Sequence, residues 1–204
     1  FPLLMAEGHP LFGCVVDGYW CDVGSLDSYI EVHRDILDGK AMIYVPGART
    51  KDDVWVGRGA DIDPTAEVAS KVVIGANTRV RAGAKLGEYT VIGDNCLIGF
   101  GADAERAIVW NDCFVGAHSV VRGAVVCRGV DLRAGARVES GAVIGDESTV
   151  GHGASVGADV QVYPFKRIEP GALVTSSLIW ESRGVRSLFG DDGVSGLVNI
   201  DVTA

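Results

Sequence analysis

The sequence predicts a mainly β protein wound as a parallel β-helix, and three observations predict it. Aliphatic residues return every sixth position from Val56 through Ile62, Val68, Ile74, Val80, Leu86 and Ile92 to Ile98. The same beat runs again from Val126 through Leu132, Val138, Ile144, Val150, Val156, Val162 and Ile168 to Val174. Four positions after most of these stands a small residue, such as Ala60, Ala84, Thr90, Cys96, Ala136, Ala142 or Ala154, and a glycine often follows the aliphatic residue directly, as at Gly57, Gly75, Gly93 and Gly145. Neither the helical period of about 3.6 nor the strand period of 2 produces this pattern. A six-residue unit that makes one short strand and one bend does, and three such units close a triangular coil with the aliphatic residue on the axis.

The two runs stand in different registers, and the stretch between them fixes how they join. From Ile98 the beat is interrupted by GFGADAERA and resumes in IVWNDCFVGAHSVVRGAVV. A register begun at Ile108 would place Asp112 and His118 in the small-residue slot, and burying them unpaired would cost several kcal/mol. A register begun at Val109 places Cys113, Ser119 and Val125 there and is preferred, with one five-residue unit before Val126. It leaves residues from Ala102 to Arg106 as an expected loop pushed out of the wall.

Hexads of this kind resemble those of the hexapeptide-repeat proteins, whose coils wind left-handed against the usual crossover rule. The resemblance therefore implies a left-handed parallel β-helix over residues 54–174. Stacking at the ordinary strand spacing gives six or seven coils and a rod on the order of 30 Å long.

Composition bounds the function. There are 28 glycines in 204 residues, about twice the usual fraction, which fits a chain of repeated turns. A net charge of −9 argues against nucleic acid as a partner, because phosphate binding needs clustered Lys and Arg. No apolar run is long enough to span a bilayer, and the N-terminal stretch lacks the pattern of a secretory signal. Five cysteines without metal-type spacing read as reduced thiols in a cytoplasmic protein.

Before the rod, residues 1–45 read as a short α/β remnant: a strand through Cys14–Val16, the tight segment GYWCDVG, and a helix from Leu26 to Asp38. Ser25 is its expected N-cap and Gly39 its stop. Asp22 in the intervening loop reads by itself as a solvated turn residue. GYWCDVGSLDSY, however, resembles the closing motif of the sugar-nucleotide pyrophosphorylases. That resemblance implies that Asp22 is one of two carboxylates holding a catalytic Mg²⁺, with a sugar 1-phosphate and a nucleoside triphosphate as partners. A pyrophosphorylase followed by a hexapeptide β-helix is the order found in the mannose-1-phosphate guanylyltransferases, which form GDP-mannose.

After the rod, FGDDGVSGLVNIDVT within residues 175–204 resembles the opening of the α-D-phosphohexomutases. Ser195 stands where that family carries an arginine; the alternative reading is an irregular cap over the end of the prism. Together the flanks resemble a mannose-1-phosphate guanylyltransferase fused to a phosphomannomutase-like domain. On that reading neither catalytic centre is complete in this chain, which would be inert alone and would act as a spacing and oligomerisation rod.

Two other functions compete. A hexapeptide-repeat acyltransferase needs a base, usually His, in a cleft between subunits. His118 in VGAHSVV and His152 in VGHGASV are the candidates, although both fall at turns where a solvated histidine is ordinary. The other is a pure β-helix scaffold, with homo-oligomerisation through its walls.

Overall fold

The computed structural model describes residues 1–50 and 52–179, with the backbone of residues 189–190 and 193–194. The expected opening of a mutase-like domain, with Ser195, lies outside the described residues except for the two-residue pairing of Phe189–Gly190 with Gly193–Val194.

The chain is mainly β, a left-handed parallel β-helix of hexapeptide repeats with a short helical remnant before it. Strands of two or three residues form the three walls of the prism, one of eight strands and two of seven. The first wall stacks Val54–Val56, Val72–Ile74, Val91–Ile92, Ile108–Val109, Val125–Val126, Val143–Ile144 and Gln161–Val162 in parallel. Ala48–Arg49 closes its upper end by pairing antiparallel with the Val54–Val56 strand. The second wall runs from Asp61–Ile62 to Arg167–Ile168 and the third from Glu67–Val68 to Leu173–Val174.

The predicted axis residues are the core. Ile74, Leu86, Ile92, Ile98, Leu132 and Ile144 are buried to within 1%, and each contributes roughly 1.5–3 kcal/mol by leaving water. The small-residue slot lies at the bends, where Ala84, Thr90, Ala102, Ser119, Ala136 and Ala154 are fully buried. Its hydroxyls are satisfied within the rod: Thr78 Oγ1 donates to the Gly93 carbonyl at 2.7 Å and accepts from the Cys96 amide at 3.0 Å. Ser119 Oγ donates to the Arg133 carbonyl at 2.9 Å. A polar residue is thus tolerated in a dry prism only because the next coil offers a backbone partner at coil spacing.

The register chosen at Val109 is the observed one, with Val109, Val115, Val121 and Val126 all buried on the axis. The expected loop at Ala102–Arg106 does not form. Asp103–Glu105 is a strand of the third wall, paired in parallel with Lys85–Leu86 and with Val120–Arg122. Ala104, fully buried, fills the axial slot that an aliphatic residue fills elsewhere, so the beat is present but is carried by a side chain too small to register as aliphatic. The unit that follows it is one residue short, like the unit before Val126. Strand partners are 17 rather than 18 residues apart across both, and the two short units stack one above the other.

The first wall also turns an apolar column outward, Trp55, Val73, Val91, Ile108, Val125 and Val143. Trp55, Ile108 and Val125 are nonetheless buried, at 8%, 3% and 3% exposure, while Arg49 lies over the Trp55 ring with its guanidinium carbon 5.1 Å from the centroid. Helix α2, Leu26–Leu37, is tied to this wall. It begins at the expected Ser25, whose hydroxyl accepts from the Ser28 amide in a reciprocal capping box, and Asp38 is its C-cap. Tyr29 OH accepts from Trp110 Nε1 at 3.1 Å. At the other end the Asp38 carboxylate accepts from Lys71 Nζ and from Tyr89 OH. Gly39 follows at φ 76°, the left-handed stop expected of it.

One expectation for the remnant needs correction. Cys14–Val16 is not a strand; residues 9–24 are irregular and largely exposed, with Val15 at 94%. Without a neighbouring sheet to pair with, a run of β-branched residues has no partner for its backbone groups and does not become a strand. A short helix α1, Pro2–Ala6, precedes it instead.

Candidate functional site

The histidines read from the sequence fall where a turn places them. His118 adopts φ 56°, the left-handed conformation that side-chain-bearing residues enter only at a cost of about 1–3 kcal/mol. The equivalent position in the neighbouring coils is Gly83, Gly101, Gly135, Gly153 and Gly171, each at positive φ. A histidine has therefore been placed in a column of glycines. Its amide donates to the Phe100 carbonyl at 2.9 Å, and its ring meets the Phe100 ring edge-on, 5.2 Å between centroids and 86° between planes. Gly101 lies beneath the imidazole. A Cβ there would come within 2.8 Å of Nδ1, so the glycine is what allows the ring to lie back against the prism. The exposed edge of the imidazole and the half-exposed Phe100, at 55%, form a small aromatic platform on the edge between the second and third walls.

His152 stands two coils further along that edge, exposed and one residue before the left-handed position, which Gly153 takes. The structure thus brings His118 and Phe100 together but does not bring His152 to them. His33 lies within α2 and contacts Tyr29, by its ring at 4.5 Å and by Nδ1 to the carbonyl at 2.8 Å.

Asp22 is exposed in the irregular segment before α2. Among the described residues no group of three or more His, Cys, Asp or Glu side chains is arranged to hold a metal ion, so no step is derived through Mg²⁺. The cysteines are free thiols. Cys96 and Cys113 occupy the bend slot and donate to the carbonyls of Trp110 and Cys127 at 3.0 and 2.9 Å. Its contact with Cys96 and its burial hold the Cys113 thiol far above its usual range, and burial pushes Cys127 up to about 11. Neither supplies a thiolate nucleophile at neutral pH.

Three of the hollows among the described residues bear on function. One of about 210 Å³ lies between α2 and the first wall, at Tyr29, His33, Trp110 and Arg128. A second, about 530 Å³, lies between α2 and the corner formed by the two short units. A third, about 460 Å³, crosses the third wall at Glu67, Lys85 and Asp103. None of the three includes His118 or His152. Sequence reading missed the residues of the second hollow, although the missing beat at Ala104 was the signal that the corner there is unusual.

Fold and site together define a left-handed β-helix protein. The family model of the EIF2B subunit epsilon LbH domain matches residues 51–156, more than half of the chain, and the chain belongs to that family. No curated protein matches the chain. Among solved structures it is similar to the acetyltransferase domain of PglB from Neisseria gonorrhoeae, at 19% identity over 73% of this chain and 60% of that one, with a TM-score of 0.40. It is also similar to PerB from Caulobacter crescentus in complex with CoA and GDP-perosamine, at 21% identity over 87% and 67%, with a TM-score of 0.36. A UDP-N-acetylglucosamine acyltransferase matches at 16% identity over 65% and 66%, with a TM-score of 0.38. The chain thus spans 60% of the length of the PglB domain.

The family match overturns the resemblance drawn from the flanks. It falls on the rod itself and is to a β-helix domain family. The identification as a mannose-1-phosphate guanylyltransferase forming GDP-mannose, fused to a phosphomannomutase, is corrected accordingly. The physical reason is the weight of the two signals. GYWCDVG is a short segment that any tight turn before a capped helix could share, whereas the hexad beat extends over some twenty strands that must all agree.

Proposed function

We propose that the chain is a hexapeptide-repeat acyltransferase domain in which His118 is the general base. In that reaction a hydroxyl or amine of the acceptor attacks the carbonyl of a thioester donor such as acetyl-CoA. The new C–O or C–N bond forms as the C–S bond breaks. His118 takes the acceptor's proton and returns it to the departing thiolate. The observation that carries this reading is the placement of His118 in a strained turn where five neighbouring coils use glycine. What supports a use for the ring is that a titratable side chain stands exposed at a position its neighbouring coils give to glycine. Phe100 supplies an apolar surface beside it. The facing side of the cleft would come from a second copy of the rod. A cytoplasmic location belongs to the same reading, since the cysteines are unpaired and acetyl-CoA is the donor considered.

The test is release of free thiol from acetyl-CoA in the presence of a panel of amino sugars, with the wild type compared with His118→Ala. Loss of a general base predicts a rate lower by about 10²–10⁴-fold. Turnover unchanged in His118→Ala would remove the reading. A second reading, a rod that holds partners apart without chemistry, is favoured by one observation: the hollows described above lie along α2 and the third wall, away from His118. No thiol release by the wild type under any condition of the panel would select it.

A further inference from the structure

The geometry points to a binding site for a small zwitterion, a molecule carrying one carboxylate or other anionic group and one ammonium group, in the 530 Å³ hollow between α2 and the corner of the two short units. This inference is independent of the acyltransferase reading and uses none of its residues.

The hollow has a structural origin. The two units that are one residue short stack at the corner of Arg106 and Gly123, and the hollow lies between that corner and α2. The space left between them is lined from the helix by Asp27, Glu31 and Arg34, which lie on one face at three- and four-residue spacing, and from the rod by Arg106, Arg122 and Asp159. Both elements are held by contacts outside the hollow, α2 by Trp110 and Lys71 and the corner by its parallel strands, so the site is preformed.

The charges in it are not mutually satisfied. Arg122 is, since its guanidinium donates to Asp103 and Glu105. Arg34 is not: its Nε is buried, and no described residue accepts from it. Arg34 also lines the hollow, and no described carboxylate forms an ion pair with it, so its guanidinium charge is available to an anionic oxygen entering there. Arg106, held at φ 52°, lies only within 4.0 Å of Glu105 and can serve the same group.

Charge balance then excludes a simple anion. Beside the two arginines stand the carboxylates of Asp27, Glu31 and Asp159, and a polyanion entering there would meet three like charges. A ligand with an anionic end on Arg34 and Arg106 and an ammonium end among the carboxylates satisfies both signs. The free volume fits a ligand of amino-acid size.

The experiment is titration of the intact chain with γ-aminobutyrate, read as saturable chemical-shift changes, beside butyrate and butylamine as shape-matched probes with one charge each. Saturable binding of γ-aminobutyrate, on the order of tenfold tighter than either control, is expected. Arg34→Gln should weaken it by about tenfold or more, since one charge-assisted hydrogen bond is lost. Glu31→Gln, which removes one of the carboxylates lining the hollow, should instead reduce the preference over butyrate while leaving butyrate binding intact. No saturable response to γ-aminobutyrate, equal binding of butyrate, or γ-aminobutyrate affinity unchanged in Arg34→Gln would each overturn the proposal. Circular dichroism of both variants separates lost binding from a lost helix.

Discussion

Gly99 lies on the second wall directly after the axial Ile98, and it is buried. A Cβ built on it would sit 2.7 Å from the Ala117 nitrogen, 2.8 Å from the Gly116 carbonyl carbon and 2.9 Å from the Val115 carbonyl oxygen. All three are backbone atoms of the next coil, so no rotamer change relieves the contact. In Gly99→Ala the two coils must separate by several tenths of an ångström, and the Gly99 amide's bond to the Val115 carbonyl, 2.7 Å long, is the first to be stretched. Overpacking of this kind costs about 1–3 kcal/mol, and a weakened buried hydrogen bond adds roughly 1 kcal/mol. We expect a loss of about 2–4 kcal/mol, measured by urea denaturation followed by circular dichroism. Two other glycines calibrate it. Gly153 has nothing within 4 Å of its would-be Cβ but sits at φ 62°, so its alanine variant should lose only the left-handed penalty of about 1–2 kcal/mol. Gly13 has neither feature and should be neutral. If Gly99→Ala unfolds no earlier than Gly153→Ala, coil-to-coil backbone contact is not what demands glycine after the axial residue.

Three further outcomes are expected. Ala104→Leu should destabilise by about 1–3 kcal/mol through overpacking of a filled axial slot, whereas it would be silent if residues 102–106 formed a surface loop; thermal denaturation distinguishes the two. Thr78→Val should cost more than Ser119→Ala in the same assay, because it strands the buried Cys96 amide as well as removing a donor, a difference of about 1–2 kcal/mol. Lys71 and Tyr89 hold the Asp38 carboxyl below its usual range; a depressed folded-state value stabilises above the unfolded value of about 3.9 and is lost as pH falls through the folded one. Stability of the wild type should therefore fall on acidification more steeply than that of Lys71→Met. The two curves should converge in acid, and parallel curves would show that the pair contributes nothing.

Much of this was legible before any coordinates. Val109, Val115 and Val121 were assigned to the axis because the competing register would have buried Asp112 and His118 unpaired, and that is an argument about solvation that a sequence suffices to make. Ser25 and Gly39 bounded α2 by local hydrogen bonding and backbone conformation alone. The axial residue Ala104 was missed because its slot is recognised by size, and a methyl group is indistinguishable from the many alanines at bends. Val15 and Val16 were misread as a strand because propensity describes a residue's fitness for a sheet and says nothing about whether a partner edge is there.

The sequence by itself determined the winding: a six-residue period fixes which side chain faces the axis, because each coil repeats the same backbone path and the same solvation test. It also showed that His118 is at a turn. The tertiary structure decided what the repeat could not encode. His118 occupies a column of glycines only when coils eighteen and seventeen residues apart are stacked, and Arg34 and Arg106 line one hollow only because the folded chain sets the corner of the two short units beside a helix from a distant part of the sequence. Periodicity is local and is read along the chain. A site is made by residues whose separation along the chain has no relation to their separation in space, and only the folded rod brings them within reach of one ligand.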